Sequence, residues 1–105
     1  MRSYTLKWSD EALTDLADAW SIVEKDGGEE RANRLVANIE AFCVCIAEIG
    51  KIGTAHENRY PGLRSVGVPE VKRATVLFIV KGEVVTIARV GYLGRNVWAS
   101  FEQKG

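Results

Sequence analysis

Apolar and polar positions first alternate at Tyr4, Leu6 and Trp8, with Thr5 and Lys7 between them, which is the period-two pattern of a half-buried strand. The period then lengthens. Ser9 suits a helix N-cap, Asp10 and Glu11 suit the positive end of the helix dipole, and Leu13, Leu16, Ala17, Trp20 and Val23 recur at helical spacing. Asp26-Gly27-Gly28 predicts a stop and a turn. A second, longer helix is predicted from about Glu29 to Ile49, with Leu35, Val36, Ile39, Phe42, Cys43, Ile46 and Ile49 as its apolar stripe and Gly50 as its C-cap.

From Lys51 to Pro61 the pattern lapses into glycine, charge and polar residues, predicting a surface loop. Leu63 to Val66 then reads as a short strand, and Val71 to Val80 and Glu83 to Val90 as two β-rich runs joined through Lys81-Gly82. Past Val90, Gly91, Gly94 and Asn96 mark a flexible stretch before Val97, Trp98 and Phe101, whose spacing suits a short helix or an added strand. The predicted architecture is α+β: an N-terminal strand, a two-helix hairpin, a three-stranded antiparallel sheet (β-α-α-β-β-β) and a short C-terminal segment.

A turn at Lys81-Gly82 pairs Val80 with Glu83, Phe78 with Val85, Val76 with Ile87 and Ala74 with Arg89, and sends Arg73 and Arg89 to opposite faces. One face then carries Ala74, Val76, Phe78, Val85 and Ile87, the other Thr75, Leu77, Ile79, Val84, Thr86 and Ala88. Both are too apolar for open water. The helices cover one, and the other predicts a second cover, either another polypeptide or the chain's own loop and C-terminal tail.

At 105 residues, 47% hydrophobic and 27% charged, the composition predicts one globular domain spanning residues 1–105. The net charge is zero but unevenly placed: 6 basic and 11 acidic residues through Glu57, 8 basic and 3 acidic from Asn58 onward. The C-terminal half is the side that suits an anionic partner. No apolar run approaches the roughly 20 residues of a membrane span, and no signal-peptide core follows Met1, so a cytoplasmic protein is expected. Cys43 and Cys45 diverge by about 200° around a helix, which leaves two buried thiols and no disulfide. With His56 as the sole histidine, neither a metal site nor a cofactor is expected, and His56 itself reads as a solvated loop residue. Basic residues spread along strands, without the signature of a known nucleic-acid-binding motif, argue against sequence-specific nucleic-acid binding.

Tyr60-Pro61-Gly62-Leu63-Arg64, then Val76-Leu77-Phe78-Ile79-Val80, then Ile87-Ala88-Arg89-Val90 resemble, in order, the Gly-Leu-Arg, aromatic-strand and Ile-x-Arg-Val pattern of ParE-type toxins of the RelE/ParE superfamily. Asp15-Leu16 with Trp20, and Cys43, fit the same pattern, so the resemblance runs from Trp8 to Phe101. It implies a RelE/ParE-like fold and the toxin of a type II toxin–antitoxin, plasmid-stabilising system. Such a toxin is neutralised by a ParD-like antitoxin of ribbon-helix-helix type, and its implied target is DNA gyrase, inhibited without catalysis by the toxin. The tail Gly91-Tyr92-Leu93-Gly94-Arg95-Asn96 departs from the Leu-His and basic pair of many relatives.

The alternative on the same fold is a RelE-like ribosome-dependent mRNA endonuclease, which needs clustered cations for phosphorane-like charge and a group to help the 2′-OH attack. The RelE-like arginine-then-tyrosine tail is absent, Leu93 and Ala99 standing where those residues would fall. Candidate target contacts are Arg64, Arg73, Arg89, Tyr92, Arg95 and Trp98; candidate antitoxin contacts are Leu77, Ile79, Val84, Arg64 and Arg95. Structural roles compete at three of them: Arg64 suits an ion pair with the second helix, Arg89 one with Glu40 or Glu48, and Trp98 suits packing as well as an interface. Trp8 and Trp20 are expected in the core.

Overall fold

The structure is a computed structural model in which residues 3–101 are described. Its elements are β1 (Thr5–Trp8), α1 (Asp10–Ile49), β2 (Thr54–Ala55), β3 (Leu63–Gly67), β4 (Ala74–Lys81), β5 (Val84–Tyr92) and a short 3₁₀ turn, Trp98–Phe101. The five strands form one sheet in the order β1-β5-β4-β3-β2, with β1 parallel to β5 and the other pairs antiparallel. The expected three-stranded sheet is therefore too small. The N-terminal strand joins it alongside β5, and Thr54–Ala55, inside the expected loop, pairs with Arg64 and Ser65.

One helical element replaces the expected pair of helices joined by a turn. Asp26 and Gly27 are helical, and the one residue with non-helical angles is Gly28, at φ 84° and ψ 172°. Such angles are open to glycine at no steric cost. The bend there is sharp: Trp20 Nε1 donates to Asn33 Oδ1 over 2.8 Å, whereas 13 residues of straight helix span roughly 20 Å. Trp20 thus braces the two arms across the bend instead of entering the core, and Trp8 packs half-buried against it.

Both helix ends follow the sequence expectation. The Ser9 hydroxyl accepts from the Ala12 amide at 3.0 Å, and Gly50, at φ 78°, donates its amide to the Ile46 carbonyl at 2.7 Å. The buried stripe of the first arm is Ala12, Leu16 and Ala19, one residue out of phase with the expected Leu13 and Ala17, which are exposed. Leu35, Ile39, Cys43 and Ile46 form the stripe of the second arm, whereas Ile49 is exposed. Cys43 is buried and Cys45 exposed, so the expectation of two buried thiols fails for the very divergence that excludes a disulfide.

The β4–β5 register differs from expectation. Lys81 pairs with Val84, Val80 with Val85 and Phe78 with Ile87, so the two loop residues are Gly82 and Glu83, with Gly82 at φ 60°. A positive angle at the first loop position is what hairpin geometry demands and what glycine supplies. Beyond Phe78 the register slips, Leu77 facing Arg89, which leaves Ala88 as the extra residue of a bulge. Up to Ile87 the face assignments survive, because the slip there is an even two residues, whereas past the bulge it is an odd three and carries Arg89 to the face of Leu77 instead of that of Ala74. Ala74, Val76, Phe78, Val85 and Ile87 join α1 in the main core, while Leu77 lies opposite with Leu63.

The second cover comes from the chain's own tail: Val97, Trp98 and Phe101 close over Leu63, Leu77 and Ile79. Among the described residues no helix is long and apolar enough to cross a membrane, and no group of three or more His, Cys, Asp or Glu side chains is placed to hold a metal ion.

Candidate functional site

Where β4 and β5 run out toward the tail, the sheet face away from α1 opens into a cleft of about 480 Å³ lined by Arg73, Thr75, Gly91, Gly94, Arg95, Asn96, Val97 and Trp98. Its mouth is built by two residues in the left-handed region that side chains rarely adopt, Arg73 at φ 63° and Leu93 at φ 56°. Each costs on the order of 1–3 kcal/mol. A hydrogen bond from the Leu93 amide to the Arg73 carbonyl, 3.0 Å, locks the two together, and Gly94 follows at φ 77°. Gly91 gives the tail room, since a Cβ there would stand 3.2 Å from Val97.

Three of the sequence-derived target candidates, Arg73, Arg95 and Trp98, meet at this cleft. Arg73 is exposed and its side chain makes no hydrogen bond or ion pair with a described residue; it lies outside the strands, so the expected opposition of Arg73 and Arg89 across a ladder does not arise. Arg95 reaches Asp18 of α1 at 2.6 Å, with half its side chain still in solvent. Trp98 meets the His56 ring edge-on at 4.7 Å and carries the Arg59 guanidinium 5.0 Å from its ring centre.

Arg89 is committed elsewhere. Its Nε and Nη2 donate to the two oxygens of Asp15 at 2.8 and 2.9 Å, and its Nη1 donates to Ser100 Oγ at 2.6 Å. The expected ion pair is present, but its partner is Asp15, not Glu40 or Glu48. The bonded carboxylate holds the guanidinium further into its charged form, against the opposing effect of burial. Asp15, 4% exposed, stands where β1 has ended and β5 lacks a neighbour, and there it also accepts the Val90 amide at 2.8 Å.

Arg64 pairs with no helix carboxylate. Its Nε donates to the Ile52 carbonyl at 3.0 Å and its Nη2 to that of Gly53 at 3.3 Å, which pins the segment leading into β2. Arg64 and Tyr92 both sit on the α1 side of the sheet, across from Trp98, because Arg64 faces Phe78 and Tyr92 faces Ala74. Of the antitoxin candidates, Leu77 is fully buried under the tail, Ile79 is packed beside it, and Val84 is half-buried at the hairpin end.

Two features escaped the sequence reading. His56 is no solvated loop residue: its Nε2 lies 2.8 Å from Ser65 Oγ, and the partly buried ring packs on Trp98. A strand at 54–55 that carries His56 beside β3 is the cause, and two residues are too few to announce it. Asp15 left a trace in the sequence, since a carboxylate three residues after Ala12 and one before Leu16 falls on the buried face and there demands a cationic partner.

The five-stranded sheet and the long bent helix form a RelE/ParE-like fold, and the family assignment follows from sequence. Residues 6–97 match the profile of the ParE toxin of type II toxin–antitoxin systems, parDE, and the chain belongs to that family. Comparison with curated proteins gave no significant match. Among solved structures it is similar to a chain of the chromosomal ParDE toxin–antitoxin system of P. aeruginosa, at 23% identity over 86% of this chain and 96% of that one, with a TM-score of 0.73. A chain of the RelBE2 toxin–antitoxin complex of Mycobacterium tuberculosis is 18% identical over 90% and 97% of the two chains, with a TM-score of 0.65. A double-arginine mutant of the E. coli toxin RelE in the free state reaches 0.65 at 16% identity, over 94% and 93%. The protein is therefore a type II toxin of the ParE/RelE superfamily.

Proposed function

We propose that this toxin acts as ParE-type proteins are expected to act, by binding and inhibiting DNA gyrase, and that a ParD-like antitoxin of ribbon-helix-helix type neutralises it. The observation that carries this reading is the make-up of the cleft. Arg73, Thr75, Arg95, Asn96 and Trp98 offer cationic, hydrogen-bonding and aromatic contact surface, but no lining side chain is a general acid or base near neutral pH. An arginine pair beside a half-exposed tryptophan suits recognition of an acidic protein surface, where Arg and Trp side chains dominate binding energy.

The RelE-like nuclease reading draws on His56, the one imidazole near the cleft. That ring is engaged with Ser65 and turned edge-on to Trp98, and the two further arginines a nuclease would recruit, Arg64 and Arg89, are bonded to backbone carbonyls and to Asp15. Arg73, Arg95 and Trp98 are accordingly the proposed target contacts. Leu77, Ile79 and Val84, with Arg95, remain the proposed antitoxin contacts, Leu77 being reachable only when the tail lifts from the sheet.

The test is supercoiling of relaxed plasmid by purified gyrase in the presence of the purified toxin. The toxin abolishes supercoiling, Trp98→Ala restores it by roughly tenfold or more in toxin concentration, and antitoxin binding survives in that variant. Undiminished supercoiling with the wild-type toxin would overturn the proposal.

A further inference from the structure

Among the described residues no backbone hydrogen bond joins the 3₁₀ turn Trp98–Phe101 to the sheet, so side-chain contacts fix how it lies there. A 3₁₀ helix completes a turn in about three residues, which sets Trp98 and Phe101 on one side of it. Facing them is a second single turn, where the His56 carbonyl accepts from the Arg59 amide at 3.0 Å and from the Tyr60 amide at 3.2 Å. Residues three and four apart share a side of such a turn, here His56, Arg59 and Tyr60. Each of the three meets the tail. His56 stands edge-on to Trp98 at 4.7 Å, the Arg59 guanidinium lies 5.0 Å from the centre of the same ring, and Tyr60 stands edge-on to Phe101 at 5.8 Å.

The turn that grips the tail is itself fastened to β3. The His56 amide donates to the Leu63 carbonyl at 2.8 Å, the Leu63 amide to the Tyr60 carbonyl at 3.1 Å, and the Gly62 amide to Glu57 Oε2 at 3.1 Å. His56 Nε2 lies 2.8 Å from Ser65 Oγ, so the ring is held as well as the backbone. An imidazole fixed by its nitrogen offers the indole a constant edge, and the Arg59 cation is drawn to the electron-rich ring. Trp98 is a wall of the cleft, whereas His56 and Arg59 are not among the residues that line it. What holds the indole therefore shapes the cleft from outside.

We infer that His56 and Arg59 are positioning residues, which hold the Trp98 indole in the orientation in which it walls the cleft and act on the target through that ring. Holding a side chain in its bound orientation beforehand removes the cost of ordering it on association, worth roughly threefold to tenfold in affinity for one side chain. The effect on the target rests on the gyrase reading; the holding of the indole does not, since it is a property of the free toxin.

Two measurements on the full chain test it. In the first, fluorotryptophan replaces the three tryptophans, and fluorine NMR relaxation reports the mobility of each ring, the Trp98 resonance being the one lost in Trp98→Phe. The Trp98 ring relaxes as a rigid group in the wild type and as a mobile one in His56→Ala/Arg59→Ala. Trp8, against the main core, and Trp20, between the arms of α1, stay unchanged and show the fold to be intact. Arg59→Ala alone, at an exposed position, moves Trp98 in the same direction by less. The second measurement is a double-mutant cycle read by gyrase supercoiling. His56→Ala/Arg59→Ala weakens inhibition by roughly threefold to tenfold, and adds nothing once Trp98 is already alanine. If the wild-type toxin leaves gyrase active, the gyrase reading fails and ring mobility alone judges the positioning. An equally rigid Trp98 in the variants overturns the inference. So does a loss of inhibition that persists in full without Trp98, which would make His56 and Arg59 direct contacts.

Discussion

Asp15 and Arg89, 74 residues apart in sequence, meet through two hydrogen bonds of 2.8 and 2.9 Å that fasten the first arm of α1 to the free edge of β5. The carboxylate is almost wholly buried and also serves the Val90 amide, while the guanidinium continues to Ser100 in the tail. One carboxylate therefore joins helix, sheet and the tail that shapes the cleft.

Removing that carboxylate strands a largely buried cation and a ladder amide together. Asp15→Ala is expected to destabilise the fold by about 3–5 kcal/mol, the usual cost of breaking a buried pair from one side. Asp15→Asn, which keeps an acceptor for Val90, costs less. Urea denaturation gives both values, and a loss below about 1 kcal/mol for Asp15→Ala would show the pair to be dispensable.

The glycine of the Gly62-Leu63-Arg64 run has a backbone role. It sits at φ 82°, accepts the Val80 amide at 2.9 Å, and leaves space that a Cβ would fill at 2.4 Å from the Val80 carbonyl oxygen. Gly62→Ala combines left-handed strain with a backbone clash and is expected to cost about 2 kcal/mol or more. A melting temperature equal to that of the wild type would contradict this.

The two thiols separate by environment. Burial, aided by the charge of Glu40, pushes the Cys43 thiol up to about 12, whereas Cys45 is exposed. A thiol reagent at neutral pH is expected to modify Cys45 alone in the native protein and both thiols in denaturant. Because the folded value lies above the ordinary 9.0, the contribution of Cys43 to stability is complete below about pH 9 and is lost as pH rises toward 12. Replacing Cys43 with valine should flatten that alkaline decline; an unchanged slope would assign it to other groups.

Arg95 gives the converse of Asp15. Its ion pair with Asp18 is half in solvent on both sides, so Arg95→Ala is expected to change stability by less than about 1 kcal/mol. Gyrase inhibition should nonetheless fall, since the side chain lines the cleft. Parallel loss of stability and inhibition would make Arg95 a structural residue only.

Much of this was legible in the chain. The strand alternation at Tyr4 to Trp8, the Ser9 and Gly50 caps and the sorting of β4 residues and of β5 residues up to Ile87 between faces rest on local pattern, and all are observed. What failed depends on distant chain. The parallel pairing of β1 with β5, the slip at Ala88 and the pairing of 54–55 with β3 carry no period of their own. The bend at Gly28 occupies one residue in place of the turn that Asp26-Gly27-Gly28 suggested, because packing between the arms carries the helix through the first two. At the site, Arg73, Arg95 and Trp98 were legible as basic and aromatic residues near the tail. The commitment of Arg64 and Arg89 to structure was only half legible, since their partners, two carbonyls and Asp15, are set by tertiary contact.

On the proposed function, this toxin stalls gyrase and does not cut message. Inducing the isolated chain in bacteria, then scoring gyrase-linked DNA breaks and mRNA 5′ ends in the same cells, separates the two outcomes directly. Accumulated DNA breaks with intact message is the expected result; message cleaved on ribosomes while DNA stays intact would contradict it and move the chemistry to the RelE-like alternative.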